Sequence, residues 1–414
     1  MINILRTKWI IGWLLCLAGL LVLSSCISNN NIDNTKNRTV LVYMAADNSL
    51  WGTANSNIYS MNSCIANGMD KVNLLAYVDN KGANPVLLHI HNTKIDTVNV
   101  YPEHDSTDPQ VLRMVIDEVT TNWEAERYGL VLWSHGTGWL PTSKLHYVAS
   151  NKMGYVQQRG GERTNATQEG DMWGFFNRTK AFAWEDRREG NPKYTCMELN
   201  ELARAIPDGV FDFILFDACY MGNVEVLYEL RNKADYIISS CFEIVSFGFP
   251  YHIVTRDILN GSLLKTCKEF YDYYNTGFND WKQMAGVSLV KTDELDSLAR
   301  CFRKVVDENR DRIPDMNVSN IQHFDRFDRH VFYDLEDFVD KLGTRKELLN
   351  EFRLQLEQCV TFKISTPYVF PGDIDSLKID EYCGMSVYIP LRKYDASGLN
   401  DDYRQTEWSM DTDY

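Results

Sequence analysis

The chain has 414 residues, 44% of them apolar by type, which suffices for one large core or two smaller ones, since single cores stop growing near roughly 250–300 residues. Its 42 basic and 57 acidic residues leave a net charge of −15, which argues against a nucleic-acid partner, because no cationic excess is there to meet phosphates. An acidic surface favours solubility and is compatible with recognising basic peptides.

At the N-terminus, Arg6 and Lys8 precede an apolar run from Trp9 to Leu23, and Leu23-Ser24-Ser25-Cys26 resembles a bacterial lipobox, where cleavage before the cysteine leaves a lipidated end. About 15 apolar residues is short for a membrane span, which needs ~20. The expectation is a signal peptide over 1–25, lipidation at Cys26 and a flexible Asn-rich tether over 26–38. The product would be an exported lipoprotein of the cell envelope, with Ile27 favouring the outer membrane. Removing Arg6 and Lys8 would bring the charge to 40 − 57 = −17. With Cys16 removed and Cys26 lipidated, the remaining cysteines are scattered without metal-ligand spacing, so, Cys219 apart, they read as buried thiols.

The apolar runs Thr39 to Ala46 and Val72 to Val78 read as fully buried strands. Alternation through Val86 to His91 and Thr97 to Tyr101 predicts an edge hairpin, with His89 and His91 on an exposed face, and Asp108-Pro109 opens a helix to about Trp123. Leu130 to Trp133 and Phe213 to Phe216 are further strands, the latter followed by a helical pattern from Asn223 to Leu230; Tyr236 to Ser239 and Ala285 to Val290 complete six. Alternating strands and helices predict a mostly parallel α/β sheet. Between the third and fourth strands, Pro141 to Lys180 reads as an exposed, mobile insertion. The main domain is placed at 39–310 and a smaller C-terminal extension at 311–414, its acidic end from Asp401 expected to fray.

In such sheets ligands bind at the carboxyl ends of the strands. His135 follows the third strand and Cys219 the fourth, each directly beyond an apolar run. A histidine there can act as a base, and Gly136 lets backbone N–H approach a substrate carbonyl. A cysteine opening a helix would gain thiolate character from the helix dipole. Asp217, two positions before Cys219, is expected on the same side of the strand, either lining the crevice or bracing its loop.

The stretches Val40 to Asn48, Leu130-Val131-Leu132-Trp133-Ser134-His135-Gly136 and Phe216-Asp217-Ala218-Cys219-Tyr220-Met221-Gly222 resemble the clostripain family of cysteine peptidases, in the caspase-like group with legumain and the gingipains. Weaker echoes are Gly248 to Tyr251 and Gly384 to Pro390. The resemblance implies a caspase-like three-layer sandwich with a six-stranded sheet and endopeptidase cleavage after Arg or Lys. It makes His135 and Cys219 the catalytic dyad, with the N–H groups of Gly136 and Cys219 as the oxyanion hole. It further implies that Asp217 selects basic side chains, with Asp47, Asn48 and Glu243 as additional candidates for the substrate pocket. No cofactor is required, although calcium assists some members. Family members are commonly cut between histidine and cysteine, so the insertion reads as an activation segment, or else as a surface or partner-binding elaboration. Peptide substrates, a lipid-anchored membrane contact and a monomeric state are expected. The alternative is a catalytically silent binding protein on the same fold.

Overall fold

The apolar run at Thr39 forms β1 (Arg38–Ala46), a strand buried along its whole length. The computed structural model describes residues 37–65, 69, 71–148, 182–186, 194–276, 283–371 and 376–414, so the leader, Cys26 and most of the tether lie outside the described residues. Along β1 the side chains alternate: Leu41, Tyr43 and Ala45 enter one core, and Val40, Val42 and Met44 the other. Being covered on both faces is what demands an unbroken apolar sequence.

After β1 come α1 (Trp51–Cys64), β2 (Val72–Asn80), the hairpin β3 (Val86–His91) and β4 (Lys94–Val100), then α2 (Pro109–Asn122) and β5 (Tyr128–Trp133). The Asp108 side chain caps α2 by accepting from Gln110 N at 2.8 Å, and Pro109 starts it, as the sequence predicts. The chain continues through α3 (Thr142–Val148), the short hairpin β6 (Phe182–Asp186) and β7 (Tyr194–Met197), α4 (Leu199–Ala205) and β8 (Phe211–Asp217). Next are α5 (Val224–Glu229), β9 (Ala234–Ser239), α6 (Tyr251–Asn260), α7 (Leu263–Asn275), β10 (Gly286–Lys291) and α8 (Leu295–Asn309). The rest comprises β11 (Tyr333–Asp334), α9 (Leu335–Lys341), α10 (Lys346–Cys359), β12 (Val360–Ser365), β13 (Tyr368–Val369), β14 (Leu377–Lys378), β15 (Ser386–Val387), α11 (Leu399–Tyr403) and α12 (Glu407–Thr412).

The main sheet has nine strands in the order β12-β10-β9-β8-β5-β1-β2-β3-β4. From β9 to β2 every neighbour is parallel; the flanking strands are antiparallel. All six expected strands and the edge hairpin are present, so the sheet grows beyond six through that hairpin and β12. The latter escapes a sequence reading because it follows α10 without a turn signal and is only partly buried. Helices α1, α6 and α7 cover one face; α2, α4, α5 and α8 cover the other together with much of the region after 311, giving the three layers.

Two expectations need correction. The acidic end is not frayed: Tyr403 and Trp408 are fully buried, Trp408 packing against Phe302 and Tyr228, and Arg231 pairs with Glu407. Two short helices carry too few residues to show a period in sequence, yet each contributes a large anchor. The expected insertion also begins inside the core, because Leu145 and Val148 on α3 are buried; residues 149–181 lie outside the described residues.

Candidate active site

Strands β5 and β8 are in-register neighbours, with Trp133 opposite Asp217, and both end at that rung. Ser134 N donates to the Asp217 carbonyl at 3.3 Å, so the two loops leave the sheet side by side. His135 and Cys219 therefore each lie two residues past the same edge. Between them, a Cβ on Gly136 would stand 2.6 Å from the Cys219 carbonyl oxygen. Only glycine allows the histidine loop this close to the cysteine backbone.

His135 is 6% exposed. Its Nε2 lies 3.4 Å from Ser49 Oγ, its carbonyl accepts from Ala183 N at 3.0 Å, and the Trp184 ring sits 5.6 Å away, tilted by 30°. Burial alone pushes the imidazole down to about 3, so it stands neutral. Cys219 is half-buried; Ile244 N donates to its Sγ at 3.4 Å. Burial first, then the nearby Glu243 charge, push its thiol up to about 12. His135 is thus held neutral and Cys219 as a thiol.

The expected help from a helix dipole is absent. Residues 218–222 form a turn, α5 begins only at Val224 and has six residues, and its N-terminus is capped by Asn223, which accepts from Val226 N at 3.1 Å. The turn instead passes through Tyr220 at a positive φ of 59°, held by Tyr220 N donating to the Phe242 carbonyl at 3.2 Å.

Asp217 does not share a strand face with Cys219, because β8 stops at Asp217 and alternation ends with it. Its Oδ2 accepts from Phe249 N at 3.0 Å and Tyr251 Oη at 2.8 Å, under Gly248. Burial pushes this carboxyl up to about 6 against those two hydrogen bonds. Asn48 is fully buried: its amide donates to the carbonyls of Ala45 (3.0 Å) and Trp184 (2.8 Å), and its oxygen accepts from Leu50 N (2.9 Å). It ties β1 to β6 rather than facing a ligand. Glu243 is likewise buried, accepting from Tyr220 Oη and from Arg326, both at 2.9 Å. Asp47 is placed among other acids, beside Glu103 and Glu185.

Arg326, Tyr220 and Trp184 were missed in sequence. Arg326 lies over 100 positions from Cys219, and only the fold brings its guanidinium against Glu243 and, at 3.6 Å, over the Phe370 ring. His330, which has no partner recognisable in sequence, bonds Asp325 Oδ1 at 2.9 Å. Asp325 also accepts from the N–H groups of Phe327, Val331 and Phe332, and the His323 and His330 rings stack at 3.5 Å. That trio braces a loop. The expected exposed histidine pair of β3 is half-buried, with the rings of His89 and His91 stacked and His91 bonded to Asp96 at 2.7 Å. None of the eight described cysteines is in a disulfide, and Cys241, Cys267, Cys359 and Cys383 are buried.

The clostripain family matches residues 42–168 and 164–412. The chain belongs to the clostripain family of C11 cysteine peptidases. Clostripain from Hathewaya histolytica is 25% identical over 255 residues, 54% of this chain but 42% of that protein, so the chain spans under half the length of this curated relative. An inactive zymogen C11 protease from Parabacteroides distasonis is 32% identical with a TM-score of 0.73, covering 91% of this chain and 98% of its own. A secreted C11 cysteine protease from Bacteroides thetaiotaomicron, solved with an irreversible peptide inhibitor, is 29% identical with a TM-score of 0.72, covering 91% and 99%. Clostripain-family membership thus agrees with the reading of the histidine and cysteine motifs.

Proposed function

We propose that the chain is an endopeptidase that cleaves after Arg or Lys, made as a lipid-anchored envelope zymogen with His135 and Cys219 as its dyad. The carrying observation is the meeting of the two strand-end loops at Gly136 and the Cys219 carbonyl, in a chain of this family. The thiol proton passes to His135 as sulfur bonds to the scissile carbonyl carbon. The resulting oxyanion accepts from the N–H groups of Gly136 and Cys219. The imidazolium then protonates the leaving amine, the C–N bond breaks, and water attacks the thioester with His135 as base.

Basic specificity is supported by Asp217, a carboxylate at the same sheet edge that an arriving cation would hold in its charged form. Asp47 contributes charge nearby. The zymogen reading is supported by the neutral pair, by Trp184 packed on His135, and by β6 following directly on residues 149–181. Cleavage there would release β6, admit water and let the thiolate–imidazolium pair form. The likeness to a relative described as an inactive zymogen points the same way. Lipidation at Cys26, monomeric state and envelope location follow from the sequence reading and form part of this proposal.

The test uses peptide amides with Arg, Lys, Gln or Leu before the scissile bond, under reducing conditions, before and after limited trypsin treatment. Turnover of the basic pair alone, rising after nicking and absent in Cys219→Ala, is expected. No turnover, and no adduct at Cys219 with a basic-peptide acyloxymethylketone, would replace the enzyme with the silent binding protein.

A further inference from the structure

We infer that Ser49 is a positioning residue for His135: its hydroxyl accepts from the imidazole Nε2–H and so leaves Nδ1 as the nitrogen that takes the Cys219 proton. The inference deepens the dyad reading above and rests on it. In the sheet β5 lies between β8 and β1, so His135, just past the end of β5, stands between Cys219 on the β8 side and the turn that follows β1. Ser49 is in that turn, and its Oγ is 3.4 Å from Nε2. The two nitrogens of an imidazole point in widely divergent directions, so with Nε2 turned to the β1 side, Nδ1 is left for the β8 side. A neutral ring carries one N–H proton, and the hydrogen bond made by one nitrogen sets which of the two is basic.

The turn is built to hold that hydroxyl in place. The Ala45 carbonyl accepts from Ser134 Oγ at 2.8 Å and from Asn48 Nδ2 at 3.0 Å, so one oxygen ties the residue before His135 to the residue before Ser49. Asn48 Oδ1 also accepts from Leu50 N at 2.9 Å, which fixes the backbone on either side of Ser49. Asp47, Asn48 and Leu50 are buried, and Ser49 among them is exposed. Its oxygen thus faces the ring from the solvent edge, where water can accept the hydroxyl's own hydrogen. Burial disfavours the imidazolium, the form that the reaction must create. As the thiol S–H bond breaks and the proton bonds to Nδ1, Nε2 keeps its own proton and Ser49 Oγ remains its acceptor. That hydrogen bond strengthens when the ring becomes charged, so it favours the imidazolium over the neutral ring.

The tautomer is read by proton–nitrogen correlation NMR of full-length Cys219→Ala, labelled with heavy nitrogen at histidine and held at neutral pH. Loss of signals in His135→Asn assigns the ring. The proton is expected on Nε2, and adding Ser49→Ala should move the tautomer ratio toward Nδ1–H by about fivefold or more, while Ser49→Thr, which keeps a hydroxyl, should not. In the nicked chain with Cys219 intact, Ser49→Ala should lower kcat on the Arg peptide amide about tenfold with KM unchanged, and Ser49→Thr should stay within about threefold of the parent. A proton on Nδ1 in the parent, a tautomer ratio unchanged by Ser49→Ala, or an unchanged kcat overturns the inference. A tautomer shift in a protein that turns over no peptide in any form upholds the contact and sinks the peptidase reading alone.

Discussion

The flanks of Cys219 and His135 each bury an acid, and they treat it in opposite ways. Beside Cys219, Glu243 has both oxygens engaged, one by Tyr220 and one by Arg326, whose guanidinium is stacked on Phe370. Beside His135, beyond Trp184, Asp79 is also buried, but it lies among Ser106 and the acids Glu185, Asp47 and Glu103 rather than against a cation. Protein groups engage both Glu243 oxygens on the flank of Cys219, with Arg326 supplied from beyond residue 311. The flank of His135 is built from strand ends and from β6, and there acid stands against acid, so burial and like charge hold protons on the carboxyls.

The largest test of this contrast breaks the completed flank. Arg326→Met should destabilise the protein by about 3–5 kcal/mol in urea unfolding, because it strands the Glu243 charge in a dry site. Arg326→Met combined with Glu243→Gln should recover most of that loss, since the penalty lies in the unpaired charge rather than in the missing attraction. A loss under about 1 kcal/mol for the single variant would mean that water reaches Glu243 and that the two flanks do not differ.

The next effect has the opposite sign. Asp79→Asn should stabilise the fold by roughly 1–3 kcal/mol at neutral pH, because it removes a buried carboxyl crowded by like charges. Burial first, with like charges adding to it, pushes both Asp79 and Glu185 up, so the fold holds them partly protonated at neutral pH. Thermal unfolding of the two proteins reads the sign directly. Destabilisation would show that the hydrogen bonds of Asp79 outweigh the crowding and would erase the contrast.

This difference also explains what the sequence disclosed. The central strands and the family were legible because a buried parallel strand must be apolar from end to end, and Ser134-His135-Gly136 and Asp217-Ala218-Cys219, which carry the resemblance, interrupt such runs at their carboxyl ends. Glu243 was read as a candidate for the substrate pocket without its partner, since Arg326 is 83 residues away and no local pattern links them. Asp79 was passed over as the polar residue that ends β2. Whether a strand-end acid is paired, bare or capping depends on what other segments bring to it. Trp408 and Tyr403 were hidden for a related reason: a short helix is held by one anchor, and one anchor has no period.

The smallest expected effect is on the thiol itself. Burial is the main cause of its rise to about 12, with Glu243 next and Arg326 a weaker opposing influence. A raised thiol pKa means that thiolate, the form that alkylates, is scarce at neutral pH and grows as pH rises. Iodoacetamide labelling of Cys219 in the uncleaved protein should therefore climb throughout pH 7–10 without a plateau. Removing the ion pair with Arg326→Met and Glu243→Gln leaves burial in place and takes away two charges that largely oppose each other. The labelling curve should then move to lower pH by less than about one unit, in the direction set by the larger influence of Glu243. Cleavage after residue 149 and before β6, by contrast, should shift the curve much further down if water enters, because it acts on the dominant cause. Equal shifts from the two treatments would show that Glu243, not burial, holds Cys219 protonated.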